Sequence, residues 1–166
     1  MIDFNKIQLP DHSRVWVYQA DRKLSPEEQH IILSKGKDFI ATWAAHGNDL
    51  MAELSVFLDH FIIIILDEQV EAASGCSIDK SMKFILDMQK DLGINFTNRM
   101  ISATWKDNSL QLFTFEEIKN ALQKGSILSS TLVFDNTITN LKELKTSWLK
   151  QLKETWLRKL LDSVCP

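Results

Sequence analysis

Hydrophobic residues in this chain follow two rhythms, and the places where the rhythm changes divide it into elements. Val15–Gln19 is β-branched and aromatic, the composition of a strand. Ser25-Pro26-Glu27-Glu28 then signals a helix start: a serine that can accept from the third amide, a proline whose missing N–H is not needed there, and a glutamate that reaches back. Ile32, Gly36, Phe39, Ile40 and Trp43 follow at helical spacing and give this helix an apolar face. Gly36 would weaken the helix on a solvent face, so it is expected where helix backbone presses on a sheet. Gly47 is expected to supply the stop.

Met51–Leu58 alternates, with Ala52, Leu54, Val56 and Leu58 on one side, as a half-wet strand does. Phe61–Leu66 follows the Asp59-His60 connection and is apolar throughout, as a strand buried on both faces must be. A second helix is expected from Ser77 to Leu92, with Ile78, Met82, Ile85 and Leu92 inward and Gly93 closing it. Met100–Trp105 and Leu110–Phe113 predict a hairpin around Lys106-Asp107-Asn108-Ser109. Thr114-Phe115-Glu116-Glu117 repeats the capping-box pattern and opens a short helix that Gly125 ends. Thr131–Phe134 reads as a last strand, and Asn140 to about Leu161 as a long amphipathic helix.

From residue 15 to 105 the order is βαββαβ. That succession predicts a ferredoxin-like core with the first and third strands central and the second at an edge; the alternative is a different α+β sandwich. No repeat or linker interrupts the chain, so residues 1–166 are read as a single α+β domain.

Charge and composition then narrow the partners. A net charge of −3 offers no basic surface, so no nucleic acid is expected. The longest apolar run, Phe61–Leu66, is too short to span a bilayer. Cys76 and Cys165 lie far apart in no C-x-x-C pair, and no secretory apolar segment opens the chain, which points to a reducing cytoplasm. Leu141, Leu144, Trp148, Leu152, Trp156 and Leu160 form one stripe of the last helix. Leu149, Leu157 and Leu161 widen it, and a homodimer through this helix is expected.

Candidate chemistry gathers between Asp67 and Ser81. Small residues there lead from the apolar strand into a helix start, where free amides and the helix dipole suit an anion. Ser74, Gly75, Cys76 and Ser77 are therefore the candidate ligand-binding residues, for a carboxylate or single phosphate. Ser74–Ser81 can be laid on the phosphate-loop pattern, with Lys80 and Ser81 in register but Ser74 and Asp79 in the two glycine positions. Asp79 would repel a polyphosphate, so ATP hydrolysis is not expected. Cys76 stands where a helix dipole favours thiolate; His46 and His60 are the bases it would need. The histidines (His12, His30, His46 and His60) form no H-x-x-x-H pair, and no calcium-type loop occurs, so no metal and no cofactor is expected.

The stretches VWVYQADRKLSPEEQ, TWAAHG, LDEQVEAASGCSID and FTNR resemble an uncharacterised bacterial family commonly labelled "ABC transporter ATPase". The resemblance spans most of the chain and implies a bacterial source, but no catalytic residues. Two functions follow for testing: a binding module with a small-anion site at 74–79, or a small enzyme using Cys76 or the Asp67 and Glu68 carboxylates.

Overall fold

Every residue of Phe61–Asp67 is buried, and the fold is organised around that strand. A computed structural model describes residues 4, 7–45, 47–69 and 71–164. In chain order the elements are β1 (Arg14–Gln19), α1 (Pro26–Thr42), the short pair β2 (Ala44–Ala45) and β3 (Asn48–Asp49), β4 (Met51–Phe57), β5 (Phe61–Asp67), α2 (Gly75–Leu92), β6 (Ile101–Lys106), β7 (Ser109–Thr114), α3 (Phe115–Gln123), β8 (Leu132–Phe134), α4 (Leu141–Ser147), β9 (Leu149–Gln151) and α5 (Lys159–Val164). The class is α+β.

Two antiparallel sheets face each other. One has the order β1-β5-β4, the other β7-β6-β8-β9. Strand alternation sends Ile62, Ile64 and Leu66 toward α1 and α2, while Phe61, Ile63 and Ile65 join Ala103, Phe134 and Trp148 between the sheets. The outer face of the second sheet packs Val133 with Ile118 of α3 and Leu160 of α5. The layers therefore run helix, sheet, sheet, helix.

This arrangement corrects the ferredoxin-like expectation. β1 runs antiparallel to β5 and takes an edge, and β6 belongs to the other sheet. The physical reason lies in β1 and β5 themselves. Val15, Ile63 and Ile65 make the second face of the sheet apolar, and a second sheet buries it.

Local signals held where one element satisfied itself. Ser25 caps α1, with Glu28 reaching back to the Ser25 amide at 2.8 Å. Gly36 lies against β4, where an added Cβ would stand 2.8 Å from Leu54 Cδ2. Gly47, however, does not stop α1. The helix ends at Thr42, Trp43 turns extended, and Gly47 at φ +88° serves the β2–β3 turn. Both remaining hairpins turn on left-handed pairs, Leu58-Asp59 and Asp107-Asn108.

The long C-terminal helix is the largest correction. It runs only through α4. Beyond it come β9, single-turn 3-10 helices at Leu152–Glu154 and Trp156–Arg158, and α5. After Trp148 the backbone gains a better partner than its own next turn, because Leu149–Gln151 pairs with β8 and Leu152 N–H reaches Thr131 O at 2.8 Å. Leu157 is buried, and Leu149 and Leu161 pack against core clusters, so the widened stripe on which a homodimer was expected does not exist.

Candidate functional site

The 74–79 turn is built from local bonds. Ser74 caps α2 by accepting the Ser77 N–H at 3.2 Å, and its carbonyl accepts the Ile78 N–H at 3.0 Å. Ser77 is fully buried, and its hydroxyl donates to Ser74 O at 2.8 Å. The Ser77 hydroxyl expected to meet a ligand therefore faces the protein, a correction to its role as a binding residue. Gly75 opens the helix at an ordinary φ, and Cys76 is exposed beside it. The four residues make a helix cap. The two serine hydroxyls and the Ser77 and Ile78 amides bond within it.

The carboxylates upstream are also engaged. Asp67 accepts the Gln69 N–H at 3.0 Å and stands 3.2 Å from His12 Nε2. The Gln69 amide, with His12 adding to it, holds this carboxyl below its ordinary range, so Asp67 is a fixed carboxylate and no proton donor. Glu68 meets Arg14 at 3.4 Å and the Ala73 N–H at 3.2 Å. These ties fasten the β5–α2 connection to β1. His60 is buried and turns Nδ1 to Leu58 O at 2.7 Å, and His46 lies outside the described residues. No group of three His, Cys, Asp or Glu among the described residues could hold a metal ion.

A different place converges. Where β8 stops at Phe134, the inner edge of β6 loses its neighbour, and a cleft of about 870 Å³ opens between that edge and β1. Its floor is a polar chain drawn from four segments. Trp148 Nε1 donates to Asn136 Oδ1 at 3.0 Å, Asn136 Nδ2 donates to Gln19 Oε1 at 2.9 Å, and Gln19 Nε2 donates to Ile101 O at 3.1 Å. Gln19 follows Val15 and Val17 on the inward face of β1, which is why a polar side chain ends up between the sheets.

The walls are apolar and partly wet. Of the eight large hydrophobics exposed among the described residues, four line this cleft: Met82, Leu86, Met100 and Trp156. Trp156 remains exposed although it stacks on Phe115, with ring centroids 6.2 Å apart. Arg99 is the one charged residue on the lining, and among the described residues it takes part in no ion pair. Burial raises the Tyr18 phenol above its ordinary value, against the opposing pull of the Ser81 hydrogen bond and the Arg99 charge. Tyr18 is thus a neutral donor at the cleft wall.

None of the expected site residues lines this cleft. Met82 was expected inward but is 38% exposed, because α2 instead buries Ser77, Ser81, Phe84, Ile85 and Met88. The readable signal was Gln19, an amide at an inward position of an apolar strand.

Comparison with family models, curated proteins and solved structures finds no match to this chain. No helix among the described residues is long and apolar enough to cross a membrane.

Proposed function

We propose that this protein is a binding domain whose cleft between the two sheets holds an amphipathic anion, an apolar body carrying one carboxylate. One observation carries the reading: an unpaired cation, Arg99, stands alone on an otherwise uncharged, apolar-walled cleft of a protein with net charge −3. Met82, Leu86 and Trp156 offer the ligand apolar contact, Gln19 and Asn136 fix the floor, and Arg99 meets the carboxylate. Among the described residues, no carboxylate lines the cleft to compete with it. The small-anion function expected at 74–79 is thereby moved to another address. The same reading puts the protein in a reducing compartment such as the cytoplasm, since Cys76 is free and exposed.

Titration with decanoate, followed by tryptophan fluorescence, tests it. Saturable binding is expected, weakened about tenfold or more in Arg99→Gln, as for loss of a hydrogen bond to a charged group. Decanol should bind no better than decanoate does to that variant. Equal decanoate affinity in the wild type and Arg99→Gln would overturn the proposal, as would no saturable binding at all.

A further inference from the structure

Resting on that reading of the cleft, we infer that its ligand is an extended peptide with a free carboxylate, added as a further strand to the open edge of β1. The hydrogen-bond alternation of β1 supports this. Ala20 N–H bonds His60 O at 2.7 Å, so in the antiparallel register Arg14, Trp16 and Tyr18 also point their backbone groups at β5. Val15, Val17 and Gln19 consequently point theirs outward. Val15 N–H confirms the parity, since it donates outward to Thr139 O at 2.9 Å.

The protein thus begins a neighbour for β1 and abandons it. Arg14 and Asn140 form an antiparallel bridge, but residues 135–138 turn away toward β8. Among the described residues, no backbone bond from outside the β1–β5 ladder reaches Val17. Val17 lines the cleft, so an N–H and a C=O stand unpaired on an apolar wall. A simple fatty acid satisfies neither group. An extended peptide satisfies both.

Side-chain alternation then sets the peptide's chemistry. Residues on one side of an added strand meet Met82 and Leu86 of α2; those on the other meet Asn136 and Thr137. A peptide alternating apolar and hydroxyl residues fits, and its terminal carboxylate meets Arg99. The edge from Val17 to Gln19 carries no charge or proline that would discourage pairing.

The test uses acetyl-Val-Thr-Val-Thr-Leu as the free acid, its carboxamide, and two forms N-methylated on alternate amides. Binding of the free acid is expected, about tenfold weaker for the carboxamide. One N-methylated form should lose binding and the other keep it, because only alternate amides face β1. Exchange of the Val17 amide should slow about tenfold or more on binding, while the Val15 amide, already bonded, is unchanged. Peptide binding with an unprotected Val17 amide, or with both N-methylated forms equal, overturns strand addition. Decanoate binding without peptide binding overturns this inference and leaves the cleft reading standing. Binding of neither overturns both.

Discussion

The turn at Ser74–Ser77 and the cleft beside β1 are both rich in polar groups, and the two satisfy them in different ways. In the turn, donor and acceptor lie within three residues of each other, and Ser74 and Ser77 close their bonds as soon as α2 forms. At the cleft, Gln19, Ile101 and Asn136, with Trp148 beneath them, come from four segments joined only by the finished fold. Their bonds fix the floor, and among the described residues Arg99 joins no ion pair and the Val17 backbone meets no partner outside the β1–β5 ladder. Local polar motifs tend to satisfy themselves as the price of forming; groups assembled at a distance can be left over.

The comparison breaks most visibly at Asn136. Asn136→Leu leaves the Trp148 indole N–H and the Gln19 Oε1 unpaired beneath the cleft. A loss of about 2–6 kcal/mol is expected by urea denaturation, from one to three for each of the two buried groups without a partner. A loss under about 1 kcal/mol would mean that water replaces the amide and that the floor is not rigid. Ser74→Ala removes only a cap. It should lower stability by about 1 kcal/mol and leave decanoate affinity unchanged, and phosphate should not slow alkylation of Cys76.

A smaller effect sharpens the point at another cap. The Arg22 guanidinium, bonded to Glu28 at 2.8 Å, and the Ser25 amide hold the Glu28 carboxyl down at about 2. Its folded value lies below its unfolded one, so the stability it contributes is present above about pH 4.5 and is lost as pH falls toward 2. Glu28→Gln should flatten that part of an acid-unfolding profile. Arg22 is 49% exposed, so added salt should shrink the difference. An unchanged profile would show the pair to be ornamental.

What could be read in advance was whatever a short stretch determines by itself. The capping boxes at Ser25 and Thr114, the two hairpins, the glycine under Leu54 and the doubly buried β5 were all legible. The face of α2 was not. Ser77 is fully buried there, its carbonyl accepting the Trp43 indole N–H at 2.8 Å, and a small polar residue at a buried contact reads as a wet position. The C-terminal helix misled for a related reason. Leu149–Gln151 has helical spacing, and only the presence of β8 makes a strand the better use of its backbone. The cleft had no local signature, because its lining comes from segments as distant as Val17 and Trp156.

The buried strand carries a further consequence, for the chain before it is folded. Phe61–Leu66 is an uncharged β-branched segment of the kind that assembles with copies of itself, and it is fenced by Asp59 on one side and Asp67 and Glu68 on the other. The tight Leu58-Asp59 turn lets β4 cover one edge of it early, without closing a long loop. The other edge waits for β1, which the whole of α1 separates from it in the chain. Until β1 docks, the most cohesive strand of the protein is open along one side. Damage to β1 should therefore surface as insoluble protein during synthesis, before it can be measured as a lower melting point.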